Sequence, residues 1–141
     1  MSLLLLDTNI LIHGARRNNT WLKFSESYQP LTIEMRPLLH VVCRGESLSF
    51  AEQNNWGEDK RDQLRFLMSY FDEVNIDALA IDAYALIDTY SRRVGVNMGK
   101  NDLWIAAAAH TTGATLITTD RDFDHLHEKF LQRLWIPPQA E

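Results

Sequence analysis

Leu3-Leu4-Leu5-Leu6-Asp7-Thr8-Asn9-Ile10-Leu11-Ile12 is the stretch on which the fold turns. Consecutive leucines without polar alternation suit a strand buried on both faces of a parallel sheet. The run breaks at Asp7-Thr8-Asn9, and apolar residues resume at Ile10. A strand therefore feeds directly into a helix, Ile10 to about Arg17, that Asp7 or Thr8 can cap.

The same alternation continues outward from this unit. A short helical piece is expected around Trp21 to Ser27. Pro37 introduces a second apolar strand, Leu38 to Val42, followed by a helix from Gly45 to about Gln53. The Asn54-Asn55-Trp56-Gly57 turn precedes a longer helix, Glu58 to Phe71, with Leu64, Leu67, Met68 and Phe71 at helical spacing. Val74-Asn75-Ile76 reads as an edge or third strand. Ala78 to Arg93 then reads as a helix with Leu79, Ala83, Leu86, Ile87 and Tyr90 on its apolar face. After the Gly95 to Gly99 loop, Asn101 is placed to cap a helix from Asp102 to Thr112, which Gly113 ends. Thr115 to Thr118 is the next strand, and Leu134-Trp135-Ile136 the last. Strands alternating with helices across short loops predict an α/β fold, a three-layer α/β/α sandwich with a mostly parallel central sheet. Residues 1–141 are expected to form one domain.

Composition narrows the class. The 141 residues carry a net charge of −5, with 45% hydrophobic and 23% charged residues, which excludes disorder, a collagenous repeat and a coiled coil. Cys43 is the lone cysteine, so neither an intrachain disulfide nor a cysteine-rich metal site can form, and the cell interior, the cytoplasm, is the expected compartment. The longest purely apolar run, Leu103 to Ala109, is far short of the roughly 18 residues of a membrane span. The leucines at the start have no basic leader and meet Asp7 at once, unlike a signal peptide. Taken alone, the acidic balance argues against a nucleic-acid partner.

The position of the acids changes that reading. In open parallel sheets the ligand crevice lies beyond the carboxyl ends of the strands. Asp7 follows the first strand and Asp120 the Thr115 strand. Glu46 lies in the element that leaves the second strand, and Asp102 opens a helix whose small residues, Ala106 to Ala109, suit close packing on a sheet. Asp122 and Asp124 adjoin Asp120. Singly, each has a structural explanation: Asp7 as a cap, Asp102 as an acid favoured by the helix dipole, Glu46 as a solvated residue, 120–124 as a polar turn. Together they form a set that repels itself unless a cation neutralises it. Mg²⁺ or Mn²⁺ fits an all-oxygen set, and the absence of cysteine clusters and paired histidines leaves zinc little to hold. Such a metal activates water for in-line displacement at a phosphodiester.

Three segments occur in order: Leu-Leu-Asp7-Thr8-Asn9-Ile-Leu-Ile, Asn101-Asp102-Leu-Trp-Ile-Ala-Ala-Ala-Ala, and Gly113-Ala-Thr-Leu-Ile-Thr-Thr-Asp120-Arg-Asp122-Phe. They resemble the signature segments of PIN-domain ribonucleases, and most closely the VapC-type toxins of bacterial and archaeal toxin-antitoxin pairs. The resemblance runs from Leu3 to Ile136. It implies a Mg²⁺- or Mn²⁺-dependent endoribonuclease, a homodimer, held inactive by a small cognate antitoxin. Asp7, Glu46, Asp102 and Asp120 match the family's four acids, and Asp122 an accessory acid. Asp7 and Asp102 are then the principal metal ligands, with Asp120 and Asp122 beside them, and Thr8 and Asn9 support the first Asp. The match is weakest at Glu46, because Cys43 stands where members usually carry Ser or Thr.

If those four acids bind metal, the rest of the chain carries only −1 of the net −5. Basic residues fall near the expected mouth: Arg16, Arg17, Arg92, Arg93, Lys100 and Arg121. Arg121 and Lys100 are the substrate-binding candidates, with Thr8 and Asn9; the paired arginines also suit solvated helix ends. The five histidines share no spacing and are read as structural or surface residues. Trp21, Trp56, Trp104 and Trp135 are read as core or dimer-interface aromatics, with base stacking the minor reading. Cys43 reads as a small core residue. Two rivals remain. One is a haloacid-dehalogenase-type phosphatase with Asp7 as nucleophile, which Asn9 disfavours because that family needs a second Asp there. The other is a non-catalytic PIN-like binding domain.

Overall fold

The computed structural model describes residues 3–31 and 34–140. The elements run β1 (Leu4–Leu6), α1 (Thr8–Arg16), α2 (Asn19–Tyr28), β2 (Leu38–His40), α3 (Val41–Gln53), α4 (Glu58–Met68), β3 (Asp72–Val74), α5 (Ala78–Arg93), α6 (Lys100–Thr112), β4 (Thr115–Thr118), a 3-10 turn (Asp124–Leu126) and β5 (Gln132–Trp135). The five strands lie in the order β3-β2-β1-β4-β5, and every pair is parallel. Helices α2, α3 and α4 pack around α1, while α5 packs on α6. This is the α/β/α sandwich expected from the sequence.

The strand order has one consequence for function. The chain steps outward from β1 to β2 and β3, then returns to lay β4 on the other side of β1. The order reverses between β1 and β4, and a crevice opens at such a switch point beyond the strand ends. Register there is pinned by Leu4↔Thr115, Leu5↔Leu116 and Leu6↔Ile117, and the Asp7 N–H donates to Ile117 O at 2.9 Å. Asp7 and the Thr118-Thr119-Asp120 turn thus leave the sheet side by side. Leu5, Leu6, Leu39, Leu116 and Ile117 are fully buried, as strands covered on both faces require.

Several element boundaries differ from the sequence reading. Val41 and Val42 belong to α3 rather than to a strand, because the His40 side chain caps the helix: its Nδ1 accepts from the Val42 N–H at 3.0 Å. β3 begins at Asp72, two residues earlier than expected, where the Asp72 N–H donates to Pro37 O. α4 stops at Met68, and β5 ends at Trp135. Gly99, not Asn101, caps α6, so Asn101 and Asp102 both sit in its first turn. The face of α5 is also corrected. Ala80, Ala83, Ile87 and Ser91 are buried, whereas Leu79 and Leu86 are 66% and 60% exposed.

Gly14 marks a close helix contact. A Cβ there would lie 2.8 Å from Leu67 Cδ1 and 3.0 Å from Trp21 Cε3. Only a residue without a side chain lets α1 sit this close to α4 and α2.

Candidate active site

Asp7 is the N-cap of α1, only 4% exposed, and both of its carboxylate oxygens accept hydrogen bonds. Oδ1 accepts from its neighbour's N–H, Thr8, at 2.8 Å. Oδ2 accepts from the Thr118 hydroxyl at 2.7 Å, and that hydroxyl also accepts from the Asp120 N–H at 2.9 Å. One hydroxyl thereby joins the ends of β1 and β4. The sequence reading missed Thr118; its signal was a polar residue closing a buried strand two positions before an acid.

Glu46 reaches the same place from α3, where its Oε1 accepts from the Thr8 hydroxyl at 2.7 Å. Thr8 thus orients Asp7 through its backbone and Glu46 through its side chain. Cys43 does not keep Glu46 away. The thiol is wholly buried against Leu6 O, and burial pushes its pKa up to about 12, so it is no nucleophile at neutral pH.

A cavity of about 700 Å³ opens over these residues, lined by Asp7, Thr8, Asn9, Glu46, Asn101, Asp102 and Asp120. Ile12, Val42 and Phe50 form its apolar wall, and Gln53 and Ser49 add polar atoms that the sequence reading did not single out. Beside it, Asp102, Asp120 and Asp122 each place a carboxylate oxygen within 4.8 Å of the others. Lys100 lies on an adjoining depression with Glu46, Gly99, Asn101 and Asp102.

The charges act on one another. Asp7 is raised to about 6, first by burial and then by Asp120 and Glu46, against the lowering effect of its bonds from Thr118 and Thr8. Asp102 is raised to about 7 by burial, then by Asp7, Asp120, Glu46 and Asp122. Asp122 is also raised, by desolvation and then by Asp120. Among the described residues no Lys or Arg forms an ion pair with these carboxylates, so their mutual repulsion is left uncompensated. The donor set is all oxygen, which suits Mg²⁺ or Mn²⁺ and not a soft metal. Asp102, Asp120 and Asp122 are the residues best placed to hold one. Asp7 retains a lone pair on each oxygen for the same purpose, since each accepts a single bond.

Of the basic candidates, Arg121 lies over the Trp135 ring with its Cζ 3.9 Å from the centroid. Arg92 is paired with Asp88, Arg17 donates to Gln63, and Arg16 lies over Phe50. The histidines serve structure: His125 bonds the Ser91 hydroxyl, His127 accepts from the Arg133 N–H, and His110 meets Phe130 O.

Residues 4–129 match the PIN domain family. No curated protein matches the chain at a significant level. Among solved structures, VapBC-1 from nontypeable Haemophilus influenzae is similar, with a TM-score of 0.78 and 22% identity over 96% of this chain and 99% of that one. VapBC2 from Rickettsia felis, bound to a DNA fragment from its promoter, gives a TM-score of 0.77 and 20% identity over 93% and 98% of the two chains. VapBC-5 from Mycobacterium tuberculosis gives 0.70 and 22% over 96% and 100%. At these identities the likeness is one of fold, whereas the family match spans nearly the whole length and replaces the phosphatase reading: this chain belongs to the PIN domain family.

Proposed function

We propose that the protein is a metal-dependent endoribonuclease, cleaving RNA by in-line attack of water, and that it is the toxin of a toxin-antitoxin pair. The observation that carries this reading is the convergence of Asp7, Glu46, Asp102 and Asp120 on one cavity at the switch point, with Asp122 completing an oxygen cluster. Residues 1–141 act as one nuclease domain, working in the cytoplasm.

Asp102, Asp120, Asp122 and Asp7 hold Mg²⁺ or Mn²⁺ in this reading. The bound ion supplies charge neutralisation and a water acidic enough to attack at neutral pH. Thr118 and the Thr8 N–H orient Asp7, and the Thr8 hydroxyl aims Glu46 across the cavity. In this mechanism Glu46 accepts the proton of the attacking water. Asn9, Thr8, Lys100 and Arg121 contact the RNA.

The antitoxin is inferred from the same surface. An acid-lined cavity with an apolar wall of Ile12, Val42 and Phe50 suits an apolar helix that inserts an Arg fork among the carboxylates. Trp21 is not part of this wall: it is a core aromatic buried against Gly14. Solved structures of similar fold are toxin-antitoxin complexes, which supports such a partner. Exposed Leu79 and Leu86 on α5 support a homodimer. No helix among the described residues is long and apolar enough to cross a membrane.

The test is incubation of metal-loaded protein with total RNA and chemical identification of the new ends. Hydrolysis by water leaves a 5′-phosphate and a 3′-hydroxyl. Cyclic 2′,3′-phosphate ends would point to attack by the RNA's own hydroxyl and overturn the mechanism. No cleavage under any metal condition would favour the non-catalytic binding domain.

A further inference from the structure

Trp135 is the register partner of Thr118 on the edge strand β5, which sets its indole beside the turn carrying Asp120 and Asp122. Its Nε1–H donates to Thr119 O at 3.0 Å, so the ring is tied to the end of β4. The Arg121 guanidinium covers that ring at 3.9 Å. Arg121 has one carboxylate close by, Asp124 at 3.5 Å, but Asp124 is held more tightly at 3.1 Å by Arg133, whose side chain is 19% exposed against 66% for Arg121. The pairing of Arg121 with Asp124 is thus long and shared with Arg133, and the guanidinium also rests on the Trp135 ring.

A guanidinium that stacks through its face keeps the N–H donors on its rim, and those donors match two phosphate oxygens in a fork. Stacking also removes rotamer freedom that an exposed Arg would otherwise lose only on binding. We propose that Trp135 is a positioning residue that holds Arg121 as a fixed fork for an RNA phosphate beside the acid cluster. The inference rests on the ribonuclease reading and adds to it the residue that preorganises phosphate capture.

The experiment measures steady-state cleavage of a short fluorescent single-stranded RNA in Mg²⁺ across a range of KCl concentrations, for wild type, Arg121→Ala, Trp135→Leu, Trp135→Phe and the Arg121→Ala/Trp135→Leu double variant. Losing one phosphate contact raises KM about tenfold with kcat within about twofold, and reduces the slope of log kcat/KM against log salt by about 0.7. Arg121→Ala and Trp135→Leu are expected to share this signature, the double variant to be no worse than either, and Trp135→Phe, which keeps an aromatic face, to stay near wild type. Leu retains apolar bulk at 135, and thermal melts confirm that each variant is folded. Should Trp135→Leu fail to fold, Trp135→Phe and Arg121→Ala decide: a KM and salt slope unchanged in Arg121→Ala, or equally damaged in Trp135→Phe, overturns the proposal. It is likewise overturned if folded Trp135→Leu keeps the wild-type KM and salt slope. Cleavage by wild type with neutral variants removes only this inference, whereas wild type that cleaves no RNA removes the ribonuclease reading with it.

Discussion

Thr118 donates its hydroxyl to Asp7 Oδ2 at 2.7 Å, joining two strand ends 111 residues apart in sequence. The Thr118 hydroxyl oxygen in turn accepts from the Asp120 N–H, so this one side chain holds two acids at once. Thr118→Val removes both bonds while keeping the shape. The buried Asp7 carboxylate loses one of its two donors and the Asp120 N–H its acceptor, and the expected loss of stability is about 1–3 kcal/mol near neutral pH. Denaturant melts of Thr118→Val and Thr118→Ser measure it, and Ser, which keeps the hydroxyl, should recover most of the loss.

Asp7 and Asp102 give the metal-free protein an inverted pH dependence. Their folded pKa values, about 6 and about 7, lie above that of an ordinary carboxyl. Between the ordinary value and the raised one, the folded state binds more protons than the unfolded, so stability falls as pH rises through this window. For buried Asp7 the rise to about 6 corresponds to about 3 kcal/mol. In chelator, Tm should therefore rise on going from pH 8 to pH 5. A flat profile, or one that falls towards pH 5, contradicts this electrostatic account.

Asp102→Asn separates stability from activity. It removes a carboxylate that its neighbours repel, so Tm in chelator at pH 8 should rise. The same change removes a metal ligand, and RNA cleavage should fall about 100-fold or more. Adding Mg²⁺ or Mn²⁺ should raise the Tm of wild type by mass action and that of the variant far less. Cleavage by the variant at the wild-type rate would move the site elsewhere.

An Arg-bearing partner predicts competition with metal. If an antitoxin helix sits on Ile12, Val42 and Phe50 and sends an Arg among the acids, then Phe50→Glu should abolish co-purification from cells expressing both proteins. RNA cleavage should persist, since Phe50 belongs to the apolar wall of the cavity and contributes no oxygen to the cluster of Asp102, Asp120 and Asp122. An Arg→Ala scan of the captured protein then identifies the inserted residue by the return of nuclease activity.

Gly14→Ala tests the packing of α1. The added methyl meets Leu67 at 2.8 Å and Trp21 at 3.0 Å, too close for either to stay in place. Overpacking of this kind costs about 1–3 kcal/mol, read as a shift in the urea midpoint with an unchanged m-value.

Local signals in the sequence carried a large part of the result. The leucine run into Asp7-Thr8-Asn9 marks a buried strand entering a helix, Gly113 marks the end of α6, and Thr115 to Thr118 marks a strand by its own composition. These suffice to place Asp7, Asp102 and Asp120 at strand and helix ends, because caps, stops and apolar runs act over a few residues. Other features were decided only by contacts between distant segments. Val41 and Val42 favour a strand by their branching, yet the His40 cap starts a helix there, and this sets where α3 presents Glu46. On α5 the larger leucines looked like the buried face. The close approach to the alanine-rich α6 buries the expected Ala83 and Ile87, adds Ala80, and leaves Leu79 and Leu86 outside. The strand order that puts β4 beside β1, and with it the bond from Thr118 to Asp7 and the stack of Arg121 on Trp135, depends on pairing across the whole sheet. No short window of sequence contains the energy of that pairing, so only the folded chain reveals which polar groups meet.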